Sequence, residues 1–376
     1  MATIDLERKP AAAKDPLAGQ IVDCDVHPVV KGGLKTVFPY MPAAWRHRIE
    51  TKGASVGMSA LSPRTAVPHG GSAVRADSEP PEGGPGGSSR SWMLKQLIEP
   101  HGIDIAVLNC LQPGALAVAL AGPDESAILC SAFNDYFLEE WQLADGSGPL
   151  RYAMVVPTQM PELAAQEIDR LADQKGIAAI FMPLLNIPMG NRHYHPIYEA
   201  AQRHNLPILL HVTGTENVYH GAPVVAGGWP ESFIERYVSL SQVGEANLVS
   251  LVFSGVLERF PGLRVLFVEY GFSWAVPLLW RMDKAWRGVR FDTPWVKRSP
   301  IDYVRERVRF ATQPLDEPQD PKDLYRMIEM LGDEHLLFAT DYPHWDNDMP
   351  MQSLRGLSPE ARRRVFVDNG RNFLRL

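Results

Sequence analysis

Residues suited to chemistry gather at the ends of short apolar runs. The run IVDCDVH (21–27) carries Asp23, Asp25 and His27 at alternate positions, so a strand there projects all three from one face. PILLH (207–211) ends on His211, RVLFVE (264–269) ends on Glu269, and HLLFA (335–339) is followed by Asp341 and then His344. A carboxylate or imidazole at a buried strand end is costly unless something pairs with it, and several converging on one rim imply a cation. Imidazole and carboxylate donors without thiolate suit zinc, iron or manganese and argue against a closed structural zinc site. Asp25, His27, His211 and Asp341 are therefore the expected ligands. Glu269 is a ligand, a base or an ion-pair partner of Arg264 or Arg281, and His344 is a ligand, a proton shuttle or a donor behind the ligands. Asp23 is better suited to bracing than to binding metal. Glu269, Asp341 and His344 are the catalytic candidates.

The elements that must position these residues form a regular series. Apolar runs at 21–27, 105–109, 152–156, 177–182, 207–211, 264–269, 307–311 and 335–339 alternate with helix-like stretches, the pattern of a parallel sheet with crossover helices. Helices are expected over 124–143, 161–174, 195–205, 231–259 (as a pair) and 273–287, with Pro161 and Pro196 in first turns and Pro261-Gly262 as a stop. Eight alternations predict an α/β fold, a (β/α)8 TIM barrel whose chemistry lies where the strands end. A doubly wound open sheet is the alternative. Residues 1–20 read as an N-terminal tail and 21–376 as one domain. Within it, 28–99 is a long insertion after strand 1, containing a flexible loop at 78–90 and a short helix within 39–49 that covers the barrel mouth. His220 and Trp229, with Tyr219, fall after strand five and Thr312 and Gln313 after strand seven, as substrate-binding candidates.

Composition narrows the function. With 376 residues, 45% of them hydrophobic, the chain can bury a large core; 37 Lys+Arg against 44 Asp+Glu gives a net charge of −7, which disfavours nucleic acid as a partner. Three scattered cysteines form no disulfide or zinc pattern and fit a reducing cytoplasm. Neither a leader-like apolar segment nor a membrane span is expected.

The segments DCDVHP (23–28), PIYEAAQRHNLPILLH (196–211), LERFPGLRVLFVEYGFSW (257–274) and LLFATDYPHWD (336–346) resemble, in order and spacing, the amidohydrolase-related family that includes aminocarboxymuconate semialdehyde decarboxylase-like proteins. The resemblance implies a TIM barrel with metal on Asp25, His27, His211 and Asp341. It departs on strand six, where those enzymes typically place a histidine and this chain has Glu269. A carboxylate beside a cation prefers to coordinate it. With His344 it brings the donors to six, generous for one metal and adequate for two. The chain is similar to the subgroup containing 2-aminoisobutyrate hydroxylase subunits.

Three functions follow as expectations. The preferred one is a non-haem dinuclear Fe/Mn monooxygenase that hydroxylates an aliphatic carbon of a small carboxylated substrate, using O2 and a reductant. The alternative is a hydrolase or non-oxidative decarboxylase with a single zinc or manganese activating water or a substrate oxygen. The third is a non-catalytic companion subunit. A homo-oligomer, or a hetero-oligomer with a paralogous subunit, is expected.

Overall fold

A computed structural model describes residues 15–54, 74–119, 122–212 and 231–376. Eight strands, β1 (Ile21–Val26), β2 (Ile103–Leu108), β3 (Leu150–Val155), β4 (Ile177–Pro183), β5 (Ile208–His211), β6 (Val265–Val268), β7 (Val308–Ala311) and β8 (Leu336–Leu337), pair in parallel in sequence order. The ring is drawn together between its first and last strands by Cys24 N–H to the Phe338 carbonyl at 2.9 Å and Asp341 N–H to the Asp25 carbonyl at 3.0 Å. The expected barrel, rather than an open doubly wound sheet, is what forms.

The strands are near-continuous apolar runs because both faces of a parallel sheet are covered. Val22, Cys24, Val107, Val155, Phe181, Leu209, Leu266, Val268 and Leu337 form one buried cluster, joined by Phe373 and Leu374 from the C-terminal end. Ile21, Val26, Leu108, Met154, Ile180, Ile208, Leu210, Val265, Phe267, Phe310 and Leu336 belong to a second cluster with the helices. The helix Pro161–Leu171 shows how this comes about: Ala164, Ile168 and Leu171 are buried at helical spacing, and proline opens the first turn where its missing N–H costs nothing.

The expected helical pair over 231–259 is three helices, Phe233–Val238, Ser241–Phe253 and Val256–Arg259. The first is opened by a reciprocal capping box between Ser232 and Glu235. The last two are parted by Gly255, whose φ of 76° an L side chain rarely adopts. The 28–99 insertion, over its described residues 28–54 and 74–99, is more ordered than its composition suggests. Its helix, Ala43–Lys52, is tied to the flank of the helix Pro123–Glu140, where Arg48 meets Glu125 and Tyr40, just before it, donates to Glu140. Residues 78–90, expected to be flexible, form turns tied to the preceding loop: Lys31 donates to the Glu82 and Gly83 carbonyls, and Val29 N–H to Gly87. Among the described residues no helix is long and apolar enough to cross a membrane.

Candidate metal centre

The strand ends bring six donors together. Asp25 lies within β1, His27 one residue past it, His211 at the last position of β5, Glu269 just after β6, and Asp341 and His344 beyond β8. Two overlapping sets, Asp25–His27–His211–Glu269 and His27–Glu269–Asp341–His344, each have their ligand atoms within 4.8 Å of one another. All are buried except His344, which is partly exposed.

The imidazoles are presented for ligation. His27 Nδ1 lies 2.9 Å from the Asn109 carbonyl and His211 Nδ1 lies 2.5 Å from the Val212 carbonyl. A carbonyl only accepts, so each Nδ1 carries the proton and donates it, leaving the Nε2 lone pair facing inward in the neutral ring. His27 Nε2 is 2.7 Å from Asp341 Oδ1 and 3.3 Å from Asp25 Oδ1. His211 Nε2 is 3.3 Å from Asp25 Oδ1 and 3.5 Å from Glu269 Oε2. His344 stacks on His27 with ring centroids 4.5 Å apart and places Nδ1 2.6 Å from Asp341 Oδ1.

The electrostatics are those of a site that awaits a cation. Burial raises the Asp25 carboxyl, but the His27 and His211 imidazoles outweigh it and hold the group below the ordinary carboxylate range. Burial likewise opposes ionisation of Asp341, and His344 and His27 bring it below its ordinary value. Glu269 is pushed well up by burial and then by the Asp341 carboxylate. Three carboxylates and three imidazoles in one pocket satisfy each other only by sharing protons, which a divalent ion would displace. The donor set thus fits a hard or borderline divalent metal.

Two of the carboxylates stand on strained backbone. Glu269 has φ 63° and Asp341 φ 61°, the left-handed region that non-glycine residues adopt at a cost and that concentrates at functional sites. The turn after β8 is fixed from β1 by Asp23, whose carboxylate accepts Thr340 Oγ1–H at 2.6 Å and Thr340 N–H at 3.0 Å. Asp23 is the brace its sequence position suggested; burial pushes its carboxyl up to about 7.

Of the four substrate-binding candidates, His220 and Trp229, like Tyr219, lie outside the described residues. Thr312 is wholly buried and its Oγ1 accepts Ala339 N–H at 3.1 Å, so the hydroxyl joins β7 to the strand-8 segment. Gln313 donates through Nε2 to Asp341 Oδ2 and to Asp346 Oδ2, both at 3.0 Å. Asn109 was not singled out by sequence reasoning: its Nδ2 donates to Asp25 Oδ1 at 2.8 Å while its backbone carbonyl receives His27. An amide directly after an apolar strand, IAVLN, was the signal available.

Comparison with known proteins agrees with this fold. A sequence model of the amidohydrolase family matches residues 22–376. A gamma-resorcylate decarboxylase from Polaromonas sp. is 24% identical over 301 residues, which cover 75% of this chain and 86% of that protein. Among solved structures, an amidohydrolase from Mycobacterium avium subsp. paratuberculosis is similar with a TM-score of 0.70 at 18% identity, covering 94% of this chain and 98% of that one. A dihydroxybenzoic acid decarboxylase from Polaromonas sp., solved with bound manganese and the inhibitor 2-nitroresorcinol, gives a TM-score of 0.61 at 18% identity, covering 94% and 96%. At these identities the structural likeness is one of fold.

Proposed function

The chain belongs to the amidohydrolase family, and from that premise we propose that it is a divalent-metal-dependent decarboxylase that releases CO2 from a small carboxylated substrate without consuming oxygen. The observation that carries the metal requirement is the pair of inward-facing Nε2 atoms on His27 and His211, each fixed by a backbone carbonyl behind it. Decarboxylation rather than another reaction is supported by the likeness to the decarboxylase from Polaromonas sp. over 86% of its length.

Asp25, His27, His211 and Asp341 would hold the ion. When bound, it supplies Lewis-acid polarisation of a substrate oxygen. Glu269 is then the proton carrier: buried, beside His211 and Asp341, it delivers a proton from a carboxyl oxygen as the carbon–carboxylate bond breaks. The electron pair of that bond stays on the substrate carbon, CO2 departs, and the Glu269 proton forms the new carbon–hydrogen bond. Solvent restores the proton. His344 keeps Asp341 Oδ1 oriented and shields one face of His27.

The dinuclear oxygenase expected from six donors finds less support. The two four-residue sets share His27, whose single inward Nε2 serves one ion, so the sets are not two independent sites. One ion, with manganese the first choice, fits better, and neither O2 nor a reductant is then required. The complete donor set supports an active rather than a companion chain.

The test is to strip the protein with a chelator, reload it with Mn(II), and incubate it, under air with an O2 electrode and in parallel anaerobically, with a panel of carboxylates that includes 2,6-dihydroxybenzoate. Metal-dependent CO2 release with unchanged O2 is the expected result. Turnover that survives chelation, or that consumes O2 and yields a hydroxylated product, would overturn the proposal.

A further inference from the structure

Asn109 follows β2 and Gln313 follows β7, and both are fully buried. Each carboxamide gives its nitrogen to an expected metal ligand. Asn109 Nδ2 donates to Asp25 Oδ1 at 2.8 Å and to the Cys24 carbonyl at 3.1 Å, and Gln313 Nε2 donates to Asp341 Oδ2 and Asp346 Oδ2. Each also leaves its carbonyl oxygen buried with no hydrogen-bond partner among the described residues. A buried acceptor without a donor costs free energy, and structures carry few of them. Reversing either amide would set its oxygen against the oxygens its nitrogen now meets, so the orientation is fixed by the acceptors around it.

We infer that Asn109 and Gln313 are positioning residues for the metal centre, matched across the barrel, each keeping one ligand carboxylate in register at the expense of its own carbonyl. For Asp341 the consequence is specific. Gln313 occupies Oδ2, while Oδ1 faces His27 Nε2 at 2.7 Å and His344 Nδ1 at 2.6 Å, so the carboxylate presents one oxygen to the centre. Gln313 is itself anchored, because Asp346 also accepts the Tyr237 hydroxyl from the helix Phe233–Val238. Asn109 acts on two ligands at once, through its side chain on Asp25 and through its backbone carbonyl on His27. Only the side-chain part is open to substitution.

The inference rests on the metal reading above and not on which reaction the metal serves. The experiment is a Mn(II) titration of metal-free protein, followed by the paramagnetic resonance signal of the unbound hydrated ion, on the wild type, Gln313→Met, Asn109→Leu and Asp346→Asn. These side chains are near in size and lack the donor or the anchoring charge. Gln313→Met and Asn109→Leu are expected to weaken Mn(II) binding by about 10- to 100-fold, the effect usual for partners behind metal ligands, and Asp346→Asn by less. Thermal midpoints of the metal-free proteins separate positioning from general support: positioning leaves them near the wild type, since each variant also removes an orphaned acceptor. Wild-type affinity in folded Gln313→Met and Asn109→Leu would overturn the assignment, as would a fall in midpoint with affinity intact. A variant that fails to fold leaves the other two to decide. Wild-type protein that binds no Mn(II) would overturn the metal reading and this role together, whereas tight Mn(II) binding without CO2 release would remove the decarboxylase proposal alone.

Discussion

Asp25 and His211 project from within β1 and β5, His211 paired with Val268 and Asp25 flanked by the Asp23–Ala106 and Val26–Leu108 pairs between which the register shifts, whereas Glu269 and Asp341 stand past the paired residues of β6 and β8 with φ of 63° and 61°. The first half of the centre is held by the sheet itself. The second is held by turns, by Asp23 reaching across from β1, and by Gln313 and His344 around Asp341. A site assembled this way has a rigid half, suited to holding a cation, and a half whose strained backbone aims carboxylates where a reaction needs them.

Substitution of one histidine on each side gives the largest contrast. His211→Ala removes an inward Nε2 that nothing nearby replaces, so we expect bound manganese to fall below one-tenth of the wild-type content and turnover to fall at least ~1,000-fold. His344→Ala, which loses only the group behind Asp341 Oδ1, is expected to retain the ion with activity lowered about 10- to 100-fold. Elemental analysis of dialysed protein checks the first part and initial rates the second. Equal metal loss in both variants would erase the distinction between the halves.

Asp23 couples the halves, and its titration gives the next effect. The carboxyl lies at about 7 in the fold, raised by burial, against 3.8 ordinarily. The folded protein therefore binds the proton more tightly than the unfolded chain. The stabilisation is complete below pH ~4 and is lost as pH rises through about 7. Asp23→Asn keeps an acceptor for Thr340 but cannot ionise. In metal-free protein its stability relative to the wild type should increase between pH 5 and pH 8, by an amount on the order of a few kcal/mol. Urea denaturation at the two pH values measures it, and parallel pH profiles would count against this assignment.

The strained half predicts a trade of function for stability. Glu269→Asn places in the left-handed region a residue that tolerates it and removes a carboxylate from beside Asp341. Metal-free Glu269→Asn is expected to be more stable than the wild type by about 1 kcal/mol while losing turnover. Asp25→Asn, within β1 and without a positive φ, should lose turnover with no such gain. Denaturant midpoints of the two variants, read against their activities, decide it.

The same division explains what the sequence makes legible. The eight strands, and Asp25, His27 and His211 upon them, follow from apolar runs and side-chain alternation, because sheet geometry translates spacing directly into direction. Glu269, Asp341 and His344 are legible as donor types after strands, but the left-handed backbone of Glu269 and Asp341 has no signature in the residues themselves. Asn109 and Gln313 show the limit best: both are uncharged amides, one overlooked and one read as a substrate contact, and only their three-dimensional neighbours reveal that they serve Asp25 and Asp341. The three-helix break before β6 was missed since Gly255 sits in an otherwise helical stretch, and the turns at 78–90 were taken for a flexible loop because their bonds run to the earlier Val29 and Lys31.

Thr312 supplies the smallest and most discriminating effect. Its position after β7 invites a role in substrate binding, yet the side chain is wholly buried and its Oγ1 accepts the Ala339 amide at 3.1 Å, two residues ahead of Asp341. Thr312→Val conserves shape and removes that acceptor, leaving one buried N–H without its partner. We expect a loss of about 1 kcal/mol of stability, measured by urea denaturation, with KM unchanged within about twofold. A hydroxyl that bound substrate would give the opposite pattern, a raised KM at constant stability, because its removal would be felt only in the complex. Thr312 thereby distinguishes a wall that holds the strained half in place from a wall that touches what reacts there.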